Sequence, residues 1–184
     1  MRGRALAMAV IIALLIVSAA PSQLNEAANP SESISNDSTF DLLFIGNSYT
    51  SNNQLNVRVE NLLSASGFTP EVQALTSGGK TLAWHGEQAE TEGSEWFTSL
   101  RNPHDYVILQ DQSQVPGFPT SSSYWQDNME GARIIDDLVD DNGGDTFLLM
   151  TWGYRNGDES NSWRYPDYET MQQYLETGYL AYAE

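Results

Sequence analysis

The sequence predicts an α/β fold, a three-layer α/β/α sandwich in which helices cover both faces of a parallel sheet. Two observations lead to this prediction. Short apolar runs without polar alternation recur from Phe40 onward, which is typical of strands that are buried on both faces. Segments with apolar residues at helical spacing separate these runs. Strands that alternate with helices form parallel sheets, because a parallel connection needs a crossover segment.

Four strands and four helices are predicted in alternation. The strands are 42–45, 72–75, 106–109 and 146–150, and the helices are 54–66, 84–100, 125–139 and 168–183. Gly67, Pro103 and the Asn142-Gly143-Gly144 run supply breaks between them, since glycine and proline interrupt regular structure. This order predicts one folded domain over residues 40–184, with a sheet that is incomplete at the carboxyl terminus.

The first twenty residues have the pattern of a secretory signal sequence. Arg2 and Arg4 precede an uninterrupted apolar run over 5–17, and the small residues at 18–20 suit cleavage, so the signal is predicted over 1–20. Residues 21–39 are polar and lack periodicity, which predicts a linker. We therefore predict a protein that is secreted, periplasmic or held at the cell surface. The alternative is an uncleaved N-terminal membrane anchor, although the apolar run is short for a full span.

The charge balance argues against two classes of partner. Eight Lys and Arg residues face 25 Asp and Glu residues, a net charge of −17, and Lys80 is the only lysine. Such a surface repels nucleic acid and anionic membranes. The absence of cysteine excludes disulfides and thiolate metal sites. The acidic pairs at 136–137 and 140–141 lack the looped spacing of a calcium site, so we predict a solvated face, no metal and no cofactor.

Three loops that follow predicted strands carry chemically useful residues. Ser48 lies between the first strand and a helix, so it is either a nucleophile beside free helical N–H groups or a simple helix cap. Gly78-Gly79 follows the second strand, where glycine lets a backbone N–H approach a ligand closely. Gln110 and Gln112 follow the third strand, where an amide can donate to a developing oxyanion. Together the loops predict a ligand site at one edge of the sheet.

Three short blocks resemble those of a known family. They are residues 44–50 (Phe-Ile-Gly-Asn-Ser-Tyr-Thr), 76–79 (Thr-Ser-Gly-Gly) and 107–113 (Val-Ile-Leu-Gln-Asp-Gln-Ser). In order and spacing they are similar to the first three blocks of the SGNH hydrolases, the GDSL-type esterases and lipases. The resemblance implies a flavodoxin-like sheet with Ser48 as nucleophile. It also implies an oxyanion hole made by the N–H groups of Ser48 and Gly79 and by one amide side chain. Gln112 stands at the family's usual asparagine, whereas Gln110 fits a Gln-Gly-Glu variant found in carbohydrate esterases, and both stay open.

The chain departs from that family in the block that supplies the base. The family's catalytic histidine belongs to an Asp-x-x-His sequence near the carboxyl terminus, and no such sequence occurs here. His104 precedes a strand and is expected at the opposite edge from Ser48. His85 is expected to contact substrate or to be structural, and Asn47 and Trp152 are the other predicted substrate contacts. Because a serine without a base is a poor nucleophile, we expect a truncated hydrolase fragment or an inactive relative.

The sequence therefore predicts an exported serine ester hydrolase that forms an acyl-enzyme on Ser48. Its expected substrates are small-molecule or carbohydrate esters, and as this fragment it is expected to be inactive. The alternative from a different class is a non-catalytic secreted or surface binding domain that keeps the fold and the pocket.

Overall fold

The computed structural model describes residues 9–10 and 39–184. The predicted signal sequence and linker fall outside the described residues except at positions 9–10 and 39, so both stay predictions. Five parallel strands form one sheet. They are β1 (Ala9–Val10), β2 (Thr39–Gly46), β3 (Thr69–Thr76), β4 (Tyr106–Leu109) and β5 (Asp145–Leu148).

The strands are arranged across the sheet in the order β1-β5-β4-β2-β3, and every neighbouring pair is parallel. The strand β2 is interior, since Leu43 lies between Val107 of β4 and Gln73 of β3. Leaving aside the two-residue β1, the order is that of flavodoxin-like sheets, with the first strand between the second and the third. The predicted α/β class and parallel sheet are confirmed. The carboxyl ends of β2, β3, β4 and β5 therefore meet at one edge.

Six α-helices connect or follow the strands in the described part of the chain. They are α1 (Ser48–Ser51), α2 (Leu55–Ala65), α3 (Leu82–Glu90), α4 (Glu95–Ser99), α5 (Ser123–Asp141) and α6 (Tyr168–Tyr182). None of them has both the length and the apolar character that crossing a membrane requires. The prediction of one helix over 84–100 is wrong, because the chain turns between α3 and α4. Gly93 takes a left-handed backbone there (φ +87°), and Ser94 caps α4 by accepting the Phe97 N–H at 2.9 Å.

The two faces of the sheet are covered differently. One face packs against α3, α5 and α6 through a continuous core of buried strand and helix residues, among them Leu43, Val107 and Ile135. The opposite face is covered in part by α2, which contributes Leu55 and Val59. An apolar cleft of about 430 Å³ stays open beside α2. The sheet side chains that line it include Leu42, Phe44, Tyr106, Ile108 and Phe147.

Glycines allow helices to pack with their backbones in direct contact with neighbouring backbone segments. Helices α3 and α5 meet where Gly86 faces Gly131, and a Cβ on Gly86 would lie 2.7 Å from the Gly131 Cα. Helix α6 meets the 3-10 turn Val115–Gly117 at Gly178, where a Cβ would overlap the Pro116 carbonyl. Only glycine permits such contacts between backbones. They fix the helices whose ends surround the carboxyl edge of the sheet.

Candidate active site

Ser48 lies at the carboxyl end of β2 as the first residue of α1, and its side chain is partly exposed. Asn47 takes the capping position, since its Oδ1 accepts the Tyr49 N–H at 3.1 Å. The Ser48 Oγ makes no hydrogen bond to any of the described residues. The alternative in which Ser48 only caps the helix is therefore not what the structure shows, because its neighbour does so.

Asn47 links the three predicted loops. It is fully buried, and its Nδ2 donates to the Lys80 carbonyl at 2.9 Å and to the Gln112 Oε1 at 2.8 Å. Its Oδ1 also accepts from the Gln110 Nε2 at 3.1 Å. The loops after β2, β3 and β4 are thus joined through one amide side chain. Because Asn47 has no exposed surface, it lies behind the site and orders it.

The two glutamines have different environments. Gln110 is 1% exposed, and its Oε1 accepts the Asn47 N–H at 3.0 Å and the Thr50 hydroxyl at 2.9 Å. Gly46 leaves room for this amide, since a Cβ there would lie 2.6 Å from the Gln110 Oε1. Gln112 is partly exposed, and its Nε2 makes no hydrogen bond within the described residues. Of the two, Gln112 is the one whose amide N–H groups are available to a ligand.

Gly79 lies in an exposed turn after β3. It has φ +70°, and its N–H has no hydrogen-bond partner among residues 39–184. The turn is fixed at both sides, since Ser77 donates its N–H to the Gly46 carbonyl at 3.0 Å and Lys80 donates to the Ser77 carbonyl at 3.2 Å. The Lys80 Nζ lies 5.0 Å from the centre of the Trp84 ring, within range of a cation–π interaction. The Gly79 N–H is therefore available to a ligand, and its loop follows β3, the strand that pairs with the one preceding Ser48.

Asp111, which was not among the predicted site residues, is a fully buried carboxylate. It accepts hydrogen bonds from the Leu82 N–H at 2.9 Å, the Gln112 N–H at 2.7 Å and the Tyr182 hydroxyl at 3.0 Å. Complete burial raises the pKa of Asp111 to about 6, and these hydrogen bonds oppose the rise. The Asp111 carboxylate thus connects three parts of the chain, namely the start of α3, the loop of Gln112 and the end of α6. Nothing in the Gln-Asp-Gln sequence distinguishes it from an ordinary polar loop residue.

Neither histidine pairs with Ser48. His85 is fully buried among Trp84 and Trp96, and neither of its ring nitrogens has a hydrogen-bond partner among the described residues. Burial lowers the pKa of His85 to about 4, so the ring is neutral at pH 7. His104 lies at the amino end of β4, the edge opposite Ser48 that its sequence position predicts. There its Nδ1 is 2.5 Å from the Asp41 Oδ1. The described residues thus offer no histidine base to Ser48.

Aromatic side chains flank the site on the β5 side. Trp152 is 50% exposed, and its ring lies 4.7 Å from that of Tyr49 in an edge-on arrangement. The Tyr154 hydroxyl is 2.5 Å from the Ser113 Oγ, which ties the loop after β5 to the loop after β4. Trp152 was predicted from its position after a strand, whereas the hydroxyl contact has no signal in the sequence. No group of His, Asp and Glu side chains in the described part of the chain is arranged to hold a metal ion.

Comparisons with known proteins identify the fold. No family model matches this sequence, and neither does any curated protein. Among solved structures, a Slackia heliotrinireducens protein assigned to the SGNH hydrolases superposes with a TM-score of 0.63 at 19% identity. The match covers 79% of this chain and 74% of that one. This chain has the SGNH-hydrolase fold.

Two further structures share the similarity to different extents. A DUF4886 family protein from Bacteroides uniformis has a TM-score of 0.60 at 16% identity, and the match covers 79% of this chain and 63% of that one. A catalytic mutant of Axe2, an acetylxylan esterase from Geobacillus stearothermophilus, has a TM-score of 0.47 at 16% identity, covering 78% and 73%. The assignment to the SGNH-hydrolase fold rests on the Slackia heliotrinireducens structure.

Proposed function

We propose that this protein is a serine ester hydrolase of the SGNH type, with Ser48 as the nucleophile. The observation that carries the proposal is the setting of Ser48. Its partly exposed hydroxyl has no partner among the described residues and lies at the end of an interior strand, between the loops of Gly79 and Gln112. Both loops offer unpaired N–H donors. A nucleophile flanked by such donors is the arrangement that acyl transfer requires.

In the proposed reaction the Ser48 Oγ bonds to the ester carbonyl carbon while its proton passes to a base. The carbonyl oxygen becomes an oxyanion that accepts hydrogen bonds from the N–H groups of Ser48 and Gly79 and from the Gln112 Nε2. The tetrahedral intermediate then breaks its bond to the alcohol oxygen, which leaves with a proton. Water attacks the acyl-enzyme in the same manner, releases the acid and restores the serine. Donors that are already oriented stabilise the oxyanion without reorganisation.

Buried groups behind the site are proposed to hold these donors in place. Asn47 supplies the cap of α1 and accepts from Gln110, so it fixes the backbone at Ser48. Asp111 accepts the Gln112 N–H and orients that loop. His85 and Asn47, which the sequence suggested as substrate contacts, are fully buried and are better proposed as structural residues. Trp152 keeps its proposed role, since half of its surface is exposed.

The general base is the part that the described residues do not supply. His85 is buried without partners, and His104 is engaged with Asp41 at the other edge of the sheet. We therefore propose that these 184 residues are inactive on esters without an added base and that activity needs a histidine such as that of the family's Asp-x-x-His. The same observation favours a second candidate, a binding domain that keeps the pocket without turnover.

Rescue of the base with added imidazole separates the two candidates. Hydrolysis of 4-nitrophenyl acetate is measured over a range of imidazole concentrations for the full chain, for Ser48→Ala and for Ser51→Ala. Ser51 is an exposed serine of the same helix and is the matched control. For a hydrolase, the rate above the Ser48→Ala background should rise at least about tenfold with imidazole, less than the 10²–10⁴ given by a positioned base. Ser51→Ala should behave as the parent. Equal rates for the parent and Ser48→Ala at every concentration would leave the binding domain as the better proposal.

We also propose that the protein is exported. The support is the charged, apolar and small-residue pattern of residues 1–20. Expression in a secreting host followed by amino-terminal sequencing of the released protein tests this. A mature chain that begins shortly after residue 19 is expected, whereas recovery of only the intact chain in the membrane fraction would favour the anchor.

A further inference from the structure

The loop after β5 and the start of α6 form an open cavity of about 630 Å³. Two exposed aromatic side chains line it, Trp152 at 50% and Tyr168 at 42% exposure. Arg155 and Glu169 line the same cavity and bring one charge of each sign. Large aromatic groups are costly to leave in water, so a pair of them on one open cavity marks a surface suited to a ligand.

The loop that carries Trp152 is held in place by its neighbours. The Gly153 N–H donates to the Gln172 Oε1 at 2.9 Å, which attaches the loop to α6. The Thr151 hydroxyl donates to the Ser113 carbonyl at 2.9 Å, which attaches it to the loop after β4. A preformed site loses less conformational entropy on binding than a mobile one.

One aromatic contact links the cavity to the helix that carries the candidate nucleophile. The Trp152 ring lies 4.7 Å from the ring of Tyr49, and Tyr49 follows Ser48 directly in the chain. A ligand on this surface and a scissile bond at Ser48 can therefore belong to one molecule. An acetyl or other short acyl group has too few atoms to occupy a cavity of this volume, so the surface suits the alcohol part of the ester.

We propose that this cavity binds a neutral saccharide chain, which makes the alcohol part of the substrate an oligo- or polysaccharide. The proposal rests on the proposed esterase function and deepens it. Sugar rings present flat apolar C–H faces that pack on aromatic rings, and their hydroxyls both donate and accept hydrogen bonds. The Arg155 guanidinium supplies donors and the Glu169 carboxylate supplies acceptors for these hydroxyls. An amphipathic ligand of this kind matches both sets of lining residues.

The charges of the site disfavour two other ligand classes. An alkyl chain laid along the cavity would desolvate Arg155 and Glu169 without replacing their hydrogen bonds to water, which is costly. A polyanionic saccharide would find only the positive charge of Arg155 in the cavity, and the negative charge of Glu169 offsets it. The net charge of −17 on the protein would also repel such a ligand. A neutral polyhydroxylated ligand avoids both costs.

Binding can be tested apart from ester cleavage. The full chain carrying Ser48→Ala is titrated with xylohexaose and with cellohexaose by calorimetry, and with tri-galacturonate and octanoate as the charged and lipid-like probes. We expect at least one neutral hexasaccharide to bind with a dissociation constant on the order of 1 mM or below. Adding Trp152→Ala or Tyr168→Ala should weaken this binding at least about fivefold, the size expected for one lost aromatic contact. Trp163→Ala is the matched control, because Trp163 is 71% exposed and lies outside the cavity.

The outcomes separate this proposal from the one on which it rests. Saccharide binding that depends on Trp152 and Tyr168 supports the subsite even if the chain cleaves no ester. Cleavage of 4-nitrophenyl acetate at Ser48 without binding of either hexasaccharide overturns the subsite and leaves the hydrolase. Preferential binding of tri-galacturonate or octanoate overturns the neutral-saccharide assignment, and so does an equal loss in Trp163→Ala. The far-ultraviolet circular dichroism of each variant must match that of the parent. If Trp152→Ala disturbs the neighbouring Tyr49, the effect of Tyr168→Ala on saccharide binding decides the test.

Discussion

The Gln110 Oε1 accepts the backbone N–H of Asn47 at 3.0 Å, across 63 residues of sequence. This hydrogen bond ties the end of β4 to the end of β2, one residue before Ser48. The same oxygen accepts the Thr50 hydroxyl, so one buried amide holds both sides of the candidate nucleophile. The two glutamines after β4 therefore differ, because Gln110 fixes the loop whereas the Gln112 Nε2 keeps N–H groups available for the proposed oxyanion.

The first prediction separates those tasks by mutation. Gln110→Ala should lower the free energy of unfolding by about 1–3 kcal/mol, because it leaves the buried Asn47 N–H without an acceptor. Gln112→Ala should cost at most about 1 kcal/mol, since its amide is partly exposed and the Asn47 Nδ2 keeps its hydrogen bond to the Lys80 carbonyl. It should instead reduce the imidazole-rescued kcat by about 10²-fold, the effect of losing one oxyanion donor. Urea unfolding and initial rates measure the two quantities. The reverse pattern would assign the oxyanion donor to Gln110.

A second prediction concerns the contact of α6 with the 3-10 turn. Gly178→Ala should destabilise the protein by about 3 kcal/mol or more, because its Cβ would overlap the Pro116 carbonyl and two backbones would have to separate. Gly78→Ala is the matched control, since a Cβ there meets nothing within 4 Å. It should change the stability by less than about 0.5 kcal/mol. Thermal and urea unfolding provide the comparison, and equal stabilities for the two variants would contradict the packing described.

The third prediction concerns pH, because two buried groups act in opposite directions. Burial raises the pKa of Asp111 from 3.8 to about 6. Between these pH values the folded protein holds the proton and the unfolded chain does not, so the free energy of unfolding falls as the pH rises. Burial lowers the pKa of His85 from 6.5 to about 4. Between these pH values only the unfolded chain binds the proton, so the free energy of unfolding falls as the pH drops. Each shift corresponds to about 3 kcal/mol, and the two nearly cancel between pH 4 and 6.

Removing one of the two groups should expose the other. Asp111→Asn keeps an oxygen acceptor for the Leu82 and Gln112 N–H groups but removes the titration. Its stability relative to the parent should fall by about 3 kcal/mol between pH 7 and pH 4, because the effect of His85 is then unopposed. Urea unfolding at four pH values measures this difference. Asp127→Asn, an exposed position on α5, is the control and should give a curve parallel to that of the parent.

A fourth prediction tests whether His104 has any part in the chemistry. Its Nδ1 contacts Asp41 at 2.5 Å and its Nε2 lies 3.1 Å from the Ser99 carbonyl, so the ring joins β2, β4 and α4 at the amino edge. His104→Ala should therefore lower the free energy of unfolding by about 2 kcal/mol or more. The imidazole-rescued rate per folded molecule should stay unchanged. A variant that kept its stability and lost this rate would place His104 in the mechanism instead.

The sequence was informative where one local pattern determines a structure. Apolar runs fixed the strands β2, β4 and β5 to within a few residues, because strands buried on both faces need nearly continuous apolar sequence. The loops of Ser48 and Gln112 were found for the same reason, since each follows such a run, whereas the loop of Gly79 follows the mixed polar and apolar strand β3. Helix ends were less clear. The break at Gly93 between α3 and α4 was missed because one glycine in an acidic segment is a weak signal.

What the sequence left open depends on contacts between distant residues. Gln110 and Gln112 are two positions apart, so strand periodicity gives both the same side and cannot choose between them. The choice is made by Gly46 and Thr50, which lie about 60 residues away. Asp111 is buried by Leu82 and Tyr182, at separations of 29 and 71 residues. No local pattern records such a contact, so neither the burial of this carboxylate nor its raised pKa was predictable.

The position of Lys80 has a practical consequence. It is the only lysine in the sequence, it is exposed, and it directly follows Gly79. An amine-reactive dye therefore has two points of attachment, the amino terminus and the loop that carries Gly79. At the second point the dye would sit close to Trp84, whose ring centre is 5.0 Å from the Lys80 Nζ. One conjugation step would turn the protein into an optical sensor of whatever enters beside Ser48.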